Sequence, residues 1–128
     1  MTDGYHLTGT FPPELIKLDY LRDVSLTHNN ITGTLPPELA EMKHLTDIDM
    51  EHCQLTGSIP DSWYGAKNLV VIGLSGNELS GSIPTELGIL SDLQRLFLDD
   101  NNLSGSLPTE LFDLKSLSKF KKPTKNQK

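Results

Sequence analysis

Apolar positions along the chain fall into columns that recur every 24 residues. Leu21, Leu45, Leu69, Leu93 and Leu117 form one column. Val24 and Leu26, Ile48 and Met50, Ile72 and Leu74, and Leu96 and Leu98 form two more, each pair split by one residue. That alternation is the period of a strand buried on one face, so each repeat is expected to hold one short strand. A second signature separates the strands: LTGTFP from Leu7, ITGTLP from Ile31, LTGSIP from Leu55, LSGSIP from Leu79 and LSGSLP from Leu103. All five fit the template aliphatic, Thr/Ser, Gly, Thr/Ser, apolar, Pro, with no insertion or deletion between copies. The glycine column suits a tight bend, and the proline after it opens a turn on the opposite side. Glu14, Glu38, Glu86 and Glu110 then fall in a first helical turn, where a negative charge meets the positive end of the peptide dipoles.

One 24-residue unit cannot bury its own leucines, whereas coils stacked at roughly 4.8 Å bury them against each other. Each coil must turn a corner after its strand, and the residue due at that corner is Asn29, Cys53, Asn77 or Asn101. Asn carries a donor and an acceptor for the backbone groups buried there; Cys fits as a small, weakly bonding substitute. Cys53, the only cysteine, sits in the stretch MEHCQLTG beside His52 and Glu51. It therefore reads as a corner residue and not as a reactive thiol. Trp63 stands where other coils have Leu15, Leu39, Leu87 and Leu111, and Ala66 where they have Leu18, Met42, Leu90 and Leu114. A large residue beside a small one conserves core volume, so Trp63 is expected in the packing.

The pattern LxxLxxLxLxxNxLxGxIPxxL resembles the plant-type leucine-rich repeat, as in receptor-like proteins and receptor kinase ectodomains. The resemblance covers residues 7 to about 120. It implies an α/β solenoid: a right-handed superhelix with a parallel β-sheet on its concave side and 3₁₀ or short helical turns on its convex side. It also implies short second strands near the LxGxIP segments. On this reading residues 1–120 form the solenoid, about four complete coils with partial coils at each end, and 121–128 a basic, disordered tail. Tyr5 falls in the Asn column, Lys122 where a leucine is due and Lys125 where an asparagine is due. The disulfide-bonded caps usual in such extracellular solenoids are missing. Uncapped ends favour a longer native protein or self-association.

Charge divides the chain. All 17 acidic residues lie at or before Asp113, and six of the 11 basic residues are the lysines at 115, 119, 121, 122, 125 and 128. An acidic body repels phosphate, which argues against nucleic acid as a partner. No run of 18 apolar residues is present, and the first residues show neither a basic start nor an apolar segment of a secretion signal. The compartment stays open: cell surface or extracellular for a fragment of a longer protein, cytoplasmic for a complete chain. Phosphate-loop, nucleophile-elbow and kinase motifs are missing too, so no enzyme and no cofactor are expected.

Strand residues pointing away from the core are the candidates for function. They stack as Arg22, Thr46, Val70 and Gln94; Asp23, Asp47, Val71 and Arg95; Ser25, Asp49, Gly73 and Phe97; Thr27, Glu51, Ser75 and Asp99; and His28, His52, Gly76 and Asp100. Gly73, Ser75 and Gly76 are expected to leave a dip between Asp49 and Glu51 on one side and Phe97 and Asp99 on the other. A dip rimmed by carboxylates with an aromatic beside it suits a basic or polar peptide segment. The expected ligand-binding set is Arg22, Asp23, Asp47, Asp49, Glu51, Gly73, Ser75, Arg95, Phe97, Asp99 and Asp100. His28 and His52 are a weak metal candidate with only two good ligands. Asn30-Ile31-Thr32 and Asn102-Leu103-Ser104 are glycosylation acceptors. The leading expectation is a non-catalytic module for protein or peptide recognition. Its alternatives are a surface-adsorbing protein of ice-binding type, using the Thr/Ser ladders, and an intracellular scaffold.

Overall fold

A computed structural model describes residues 6–125. Among these residues are five 3₁₀ turns and eight short strands: β1 (Thr8–Thr10), β2 (Asp23–Ser25), β3 (Asn30–Thr34), β4 (Asp47–Asp49), β5 (Gln54–Thr56), β6 (Val71–Gly73), β7 (Arg95–Phe97) and β8 (Lys119–Lys121). They form two parallel sheets on two sides of one solenoid, β2-β4-β6-β7-β8 and β1-β3-β5. In the five-stranded sheet the register steps by one repeat: Val24 faces Ile48, Ile48 faces Ile72, Ile72 faces Leu96, and Leu96 faces Phe120. The second sheet is regular through β5. Its hydrogen-bond pattern nevertheless continues, with Glu78 N–H donating to Leu55 O and Ser104 N–H to Gly81 O, both at 2.8 Å.

The 3₁₀ turns start where the prolines predict. Pro12, Pro36, Pro60, Pro84 and Pro108 each precede a five-residue turn in extended backbone, and an acidic residue lies in the first turn of each. The conserved volume around Trp63 is visible: both Trp63 and Ala66 are buried, and the indole N–H donates to Pro36 O at 3.0 Å. A buried indole keeps its hydrogen bond, so the larger ring adds apolar area without stranding a polar atom.

The core is the stacked aliphatic columns, Leu45, Leu69 and Leu93 among them, all fully buried. At the corner after each strand the Asn column does what the buried backbone requires. Asn77 accepts from Leu55 N–H (3.1 Å) and donates to Met50 O (2.8 Å) and Leu74 O (3.0 Å). Asn101 repeats the pattern one coil on, accepting from Leu79 N–H and donating to Leu74 O and Leu98 O. Asn29 accepts from Leu7 N–H at 3.0 Å. Cys53 is buried in the same column, its thiol 3.2 Å from Leu26 O and 3.7 Å from Glu51 O. Burial pushes the thiol above its ordinary value of 9.0, the opposite of what a nucleophilic cysteine needs.

Within the stretch expected to be disordered, Lys121 closes β8, and a bridge pairs Asn101 with Lys125. Asn101 N–H donates to Thr124 O and Asp100 N–H to Thr124 Oγ1. The backbone continues because Asn101 presents a corner for one more partial coil, whether or not the next residue in the column is asparagine. Tyr5 and residues 126–128, named in the sequence reading, lie outside the described residues.

Replacing Asn77 with Ala removes the side-chain partner of Leu55 N–H and Met50 O, while Leu74 O keeps its bond from Asn101, and the expected loss is about 2–4 kcal/mol in urea unfolding. Cys53→Asn supplies the stronger donor and acceptor that the other corners use. It is expected to gain about 1 kcal/mol and raise the urea midpoint without changing the slope.

Candidate functional site

Each strand of the five-stranded sheet is three residues long. Its middle side chain points to the core: Val24, Ile48, Ile72 and Leu96 are buried, and Phe120 is half-buried. The two flanking residues therefore face out, and the register stacks them into rows across the sheet. One row runs Asp23, Asp47, Val71, Arg95, Lys119 and the next Ser25, Asp49, Gly73, Phe97, Lys121. Arg22, Asp23 and Arg95 are exposed, while Asp47, Asp49, Glu51, Phe97, Asp99 and Asp100 are half-buried.

The dip expected at coil three is occupied from its flanks. A Cβ on Gly73 would lie 2.9 Å from Glu51 Oε1 and 3.0 Å from Asp49 Oδ1, so both carboxylates lean over the glycine. Ser75, expected to face a ligand, is buried at 3% exposure, and its hydroxyl donates to Asp99 Oδ1. Thr27 Oγ1 donates to Asp49 Oδ1 at 2.6 Å. Small residues invited their neighbours' side chains inward, and the open groove became a shelf of carboxylates.

Crowding those carboxylates has an electrostatic cost. Burial first, then the charges of Asp47 and Asp49, raise the Asp23 carboxyl above its ordinary 3.8. Burial, then Asp49, raise Glu51 above its ordinary 4.5; Asp99 adds to the rise while Lys121 and His28 oppose it. Both groups hold a proton more readily in the folded chain than outside it.

Two features of this face were missed in the sequence. Lys119 and Lys121 extend the rows by one strand, and Lys121 Nζ lies 4.9 Å from the centroid of the Phe97 ring, a cation–π contact. Counting 24 residues on from Arg95 and Phe97 finds them. The second is a left-handed corner: His28, His52, Gly76 and Asp100 have φ of 59°, 53°, 71° and 56°. The column therefore stands where the chain leaves the sheet. Gly76, in register with three non-glycines, was the available signal. The His28 and His52 rings stack at 4.6 Å with 12° between planes, and the His52 ring fills the space beside Gly76 that a Cβ would take. No group of three or more metal-ligating side chains occurs among the described residues.

The sequon residues Asn30 and Asn102 are both exposed. A groove lies away from the five-stranded sheet. Its volume is about 820 Å³, and Thr34, Ser58, Ser82, Pro60 and Glu86 are among its lining residues. In the neighbouring hydroxyl ladder, Thr32 and Thr56 donate to the Gly9 and Gly33 carbonyls at 3.4 Å, so these hydroxyls serve the bends. No helix is long and apolar enough to cross a membrane among the described residues.

Glu51→Gln tests the electrostatic cost. A raised folded pKa means that ionising Glu51 opposes folding; the penalty is full above the folded pKa and disappears below the ordinary 4.5. The variant is expected to melt slightly higher than the parent at pH 7, by a few degrees at most, and the gap to close below about pH 4. Thermal melts by circular dichroism across that range check it.

The Leucine Rich Repeat family model matches residues 20–42, 44–66, 68–90 and 92–114. Among solved structures, the ectodomain of the Arabidopsis thaliana receptor kinase GASSHO1/SCHENGEN3, in complex with CASPARIAN STRIP INTEGRITY FACTOR 2, is similar at 36% identity and a TM-score of 0.89. The match covers 92% of this chain and 14% of that one. The Arabidopsis receptor kinase HAESA, in complex with the peptide hormone IDA and the co-receptor SERK1, matches at 40% identity and a TM-score of 0.81, over 84% of this chain and 18% of that one. A chain of the BIR3–SERK2 complex from Arabidopsis thaliana matches at 31% identity and a TM-score of 0.83, over 97% and 68%. This chain thus spans less than a fifth of the first two matched chains. No curated protein matches it. Four consecutive coils fitting one repeat model, together with the same solenoid in plant receptor ectodomains, establish that this chain belongs to the leucine-rich repeat family.

Proposed function

We propose that the chain is a non-catalytic recognition module, which binds a protein or peptide segment on the concave face of its five-stranded sheet and takes a basic side chain of that segment at Asp47, Asp49 and Glu51. The observation that carries this reading is the crowding of Asp23, Asp47 and Asp49 on two adjacent strands with Glu51 just beyond the second, Asp23 and Glu51 being pushed toward the protonated form. A guanidinium or ammonium placed among them offsets that repulsion and gains charge-assisted hydrogen bonds in the same step. Similarity supports the class of partner: complexes with a peptide hormone or a protein factor are among the similar structures. The fold is of a kind that typically recognises rather than catalyses.

Selection of random nine-residue peptides displayed on phage tests the reading. Against the parent chain, enriched peptides are expected to carry Lys or Arg; against the Asp49→Asn, Glu51→Gln, Asp99→Asn variant that enrichment is expected to vanish. The same peptides from both selections would overturn the proposal. Affinity of a selected basic peptide is also expected to fall as the pH drops through the raised Glu51 and Asp23 values, because protonation removes the charge that holds the cation.

A further inference from the structure

The face that binds in this way is not acidic throughout. Read along the row Asp23, Asp47, Val71, Arg95, Lys119, the charges run negative, negative, neutral, positive, positive. The adjacent row runs Ser25, Asp49, Gly73, Phe97, Lys121, again from a carboxylate on β4 to an ammonium on β8. Neutral β6 separates the two halves, with Val71 half-exposed in the middle of the first row. Lys121 does not lean away: it lies over the Phe97 ring, and its charge is felt at Glu51 on the opposite half.

We infer that the concave face recognises an extended peptide segment with two opposite charges. The segment crosses the strands, with its cation at Asp47, Asp49 and Glu51 and its anion at Arg95, Lys119 and Lys121. The inference rests on the recognition reading above and specifies the partner's chemistry. Strands lie about 4.8 Å apart, so β4 is about 10 Å from β7 and about 14 Å from β8. An extended segment advances about 3.3 Å per residue and turns alternate side chains to the same face. Charges four residues apart are then about 13 Å apart and both face the sheet, which matches the separation of the two halves. The residue midway between them faces Val71 and the Phe97 ring, so it is small or apolar. A partner with two cations would place its second charge against Arg95 and Lys119 and be repelled. Asp99, in the row that ends without a lysine, is occupied by the Ser75 hydroxyl.

The test uses the full chain and three nine-residue peptides, acetylated and amidated so that only the side chains carry charge. They share one sequence with Val at position 5 and differ at positions 3 and 7: Lys with Glu, Lys with Lys, and Glu with Glu. Fluorescence anisotropy at low salt is expected to rank Lys/Glu tightest, by about fivefold over Lys/Lys. The variant Lys119→Glu, Lys121→Glu changes two exposed side chains and is expected to reverse that order. Circular dichroism of the variant confirms that it folds. If Lys/Lys binds the parent chain more tightly than Lys/Glu, the two-charge inference is overturned while basic-segment recognition stands. If Glu/Glu binds tightest, or if all three bind alike and ignore the variant, both readings fall.

Discussion

Each coil of this solenoid turns a corner inside the molecule, and a buried corner leaves main-chain N–H and C=O groups that water cannot reach. An unpartnered group of that kind costs about as much as several surface contacts gain. Asn77 and Asn101 meet the demand with one side chain each, accepting an N–H from the preceding coil and donating to one carbonyl of that coil and one of their own. The bonds run between coils as well as within them. Satisfying the corner therefore also sets how one coil lies on the next.

That constraint makes the rest of the coil regular. With the corner held at one place in every 24 residues, the strands align without slippage and the leucine columns stack into one core. Variation is tolerated where it conserves what the stack needs. Trp63 with Ala66 conserves volume, and the indole N–H finds Pro36 O. Cys53 conserves size but bonds weakly, and it is the least well satisfied of the corners. Thr10 and Thr34 place methyl groups against Gly33 and Gly57 of the following coil, so those glycines serve close approach between coils as well as their left-handed backbone.

Regular stacking also turns sequence spacing into a surface. Residues with no relation along the chain, such as Asp47 and Lys119, come to share one row because each occupies the same place in its coil. The sheet face is thereby divided: carboxylates crowd on β2 and β4, neutral small residues cover β6, and cations gather on β7 and β8. The acidic half is held in partial tension, visible in the raised Asp23 and Glu51 carboxyls. A recognition surface gains selectivity from such an arrangement, since a partner with the wrong charge order is repelled as well as unrewarded.

Much of this was legible before any coordinate. A fixed 24-residue period, alternating apolar columns and an Asn column determine the strands, the core leucines and the structural role of Cys53, because each follows from a local rule repeated without interruption; the parallel sheets and the 3₁₀ turns were implied by the resemblance to the plant-type repeat. The outward rows could be read by the same counting as far as Asp100. Lys121 was lost because 121–128 looked like a solvated tail, and Lys119, inside the expected solenoid, because the rows were counted over four strands only; pairing with β7 holds both in place. What counting cannot supply is where long side chains go once the rows exist. Glycine at 73 and serine at 75 predict an opening, yet Asp49 and Glu51 lean over the first, and Asp99 accepts from the second. His52 covers Gly76 and stacks on His28 because the corner is left-handed. Period and polarity determine which residues share a face; only the packed structure decides which space on that face stays open, because flexible side chains fill whatever their small neighbours leave.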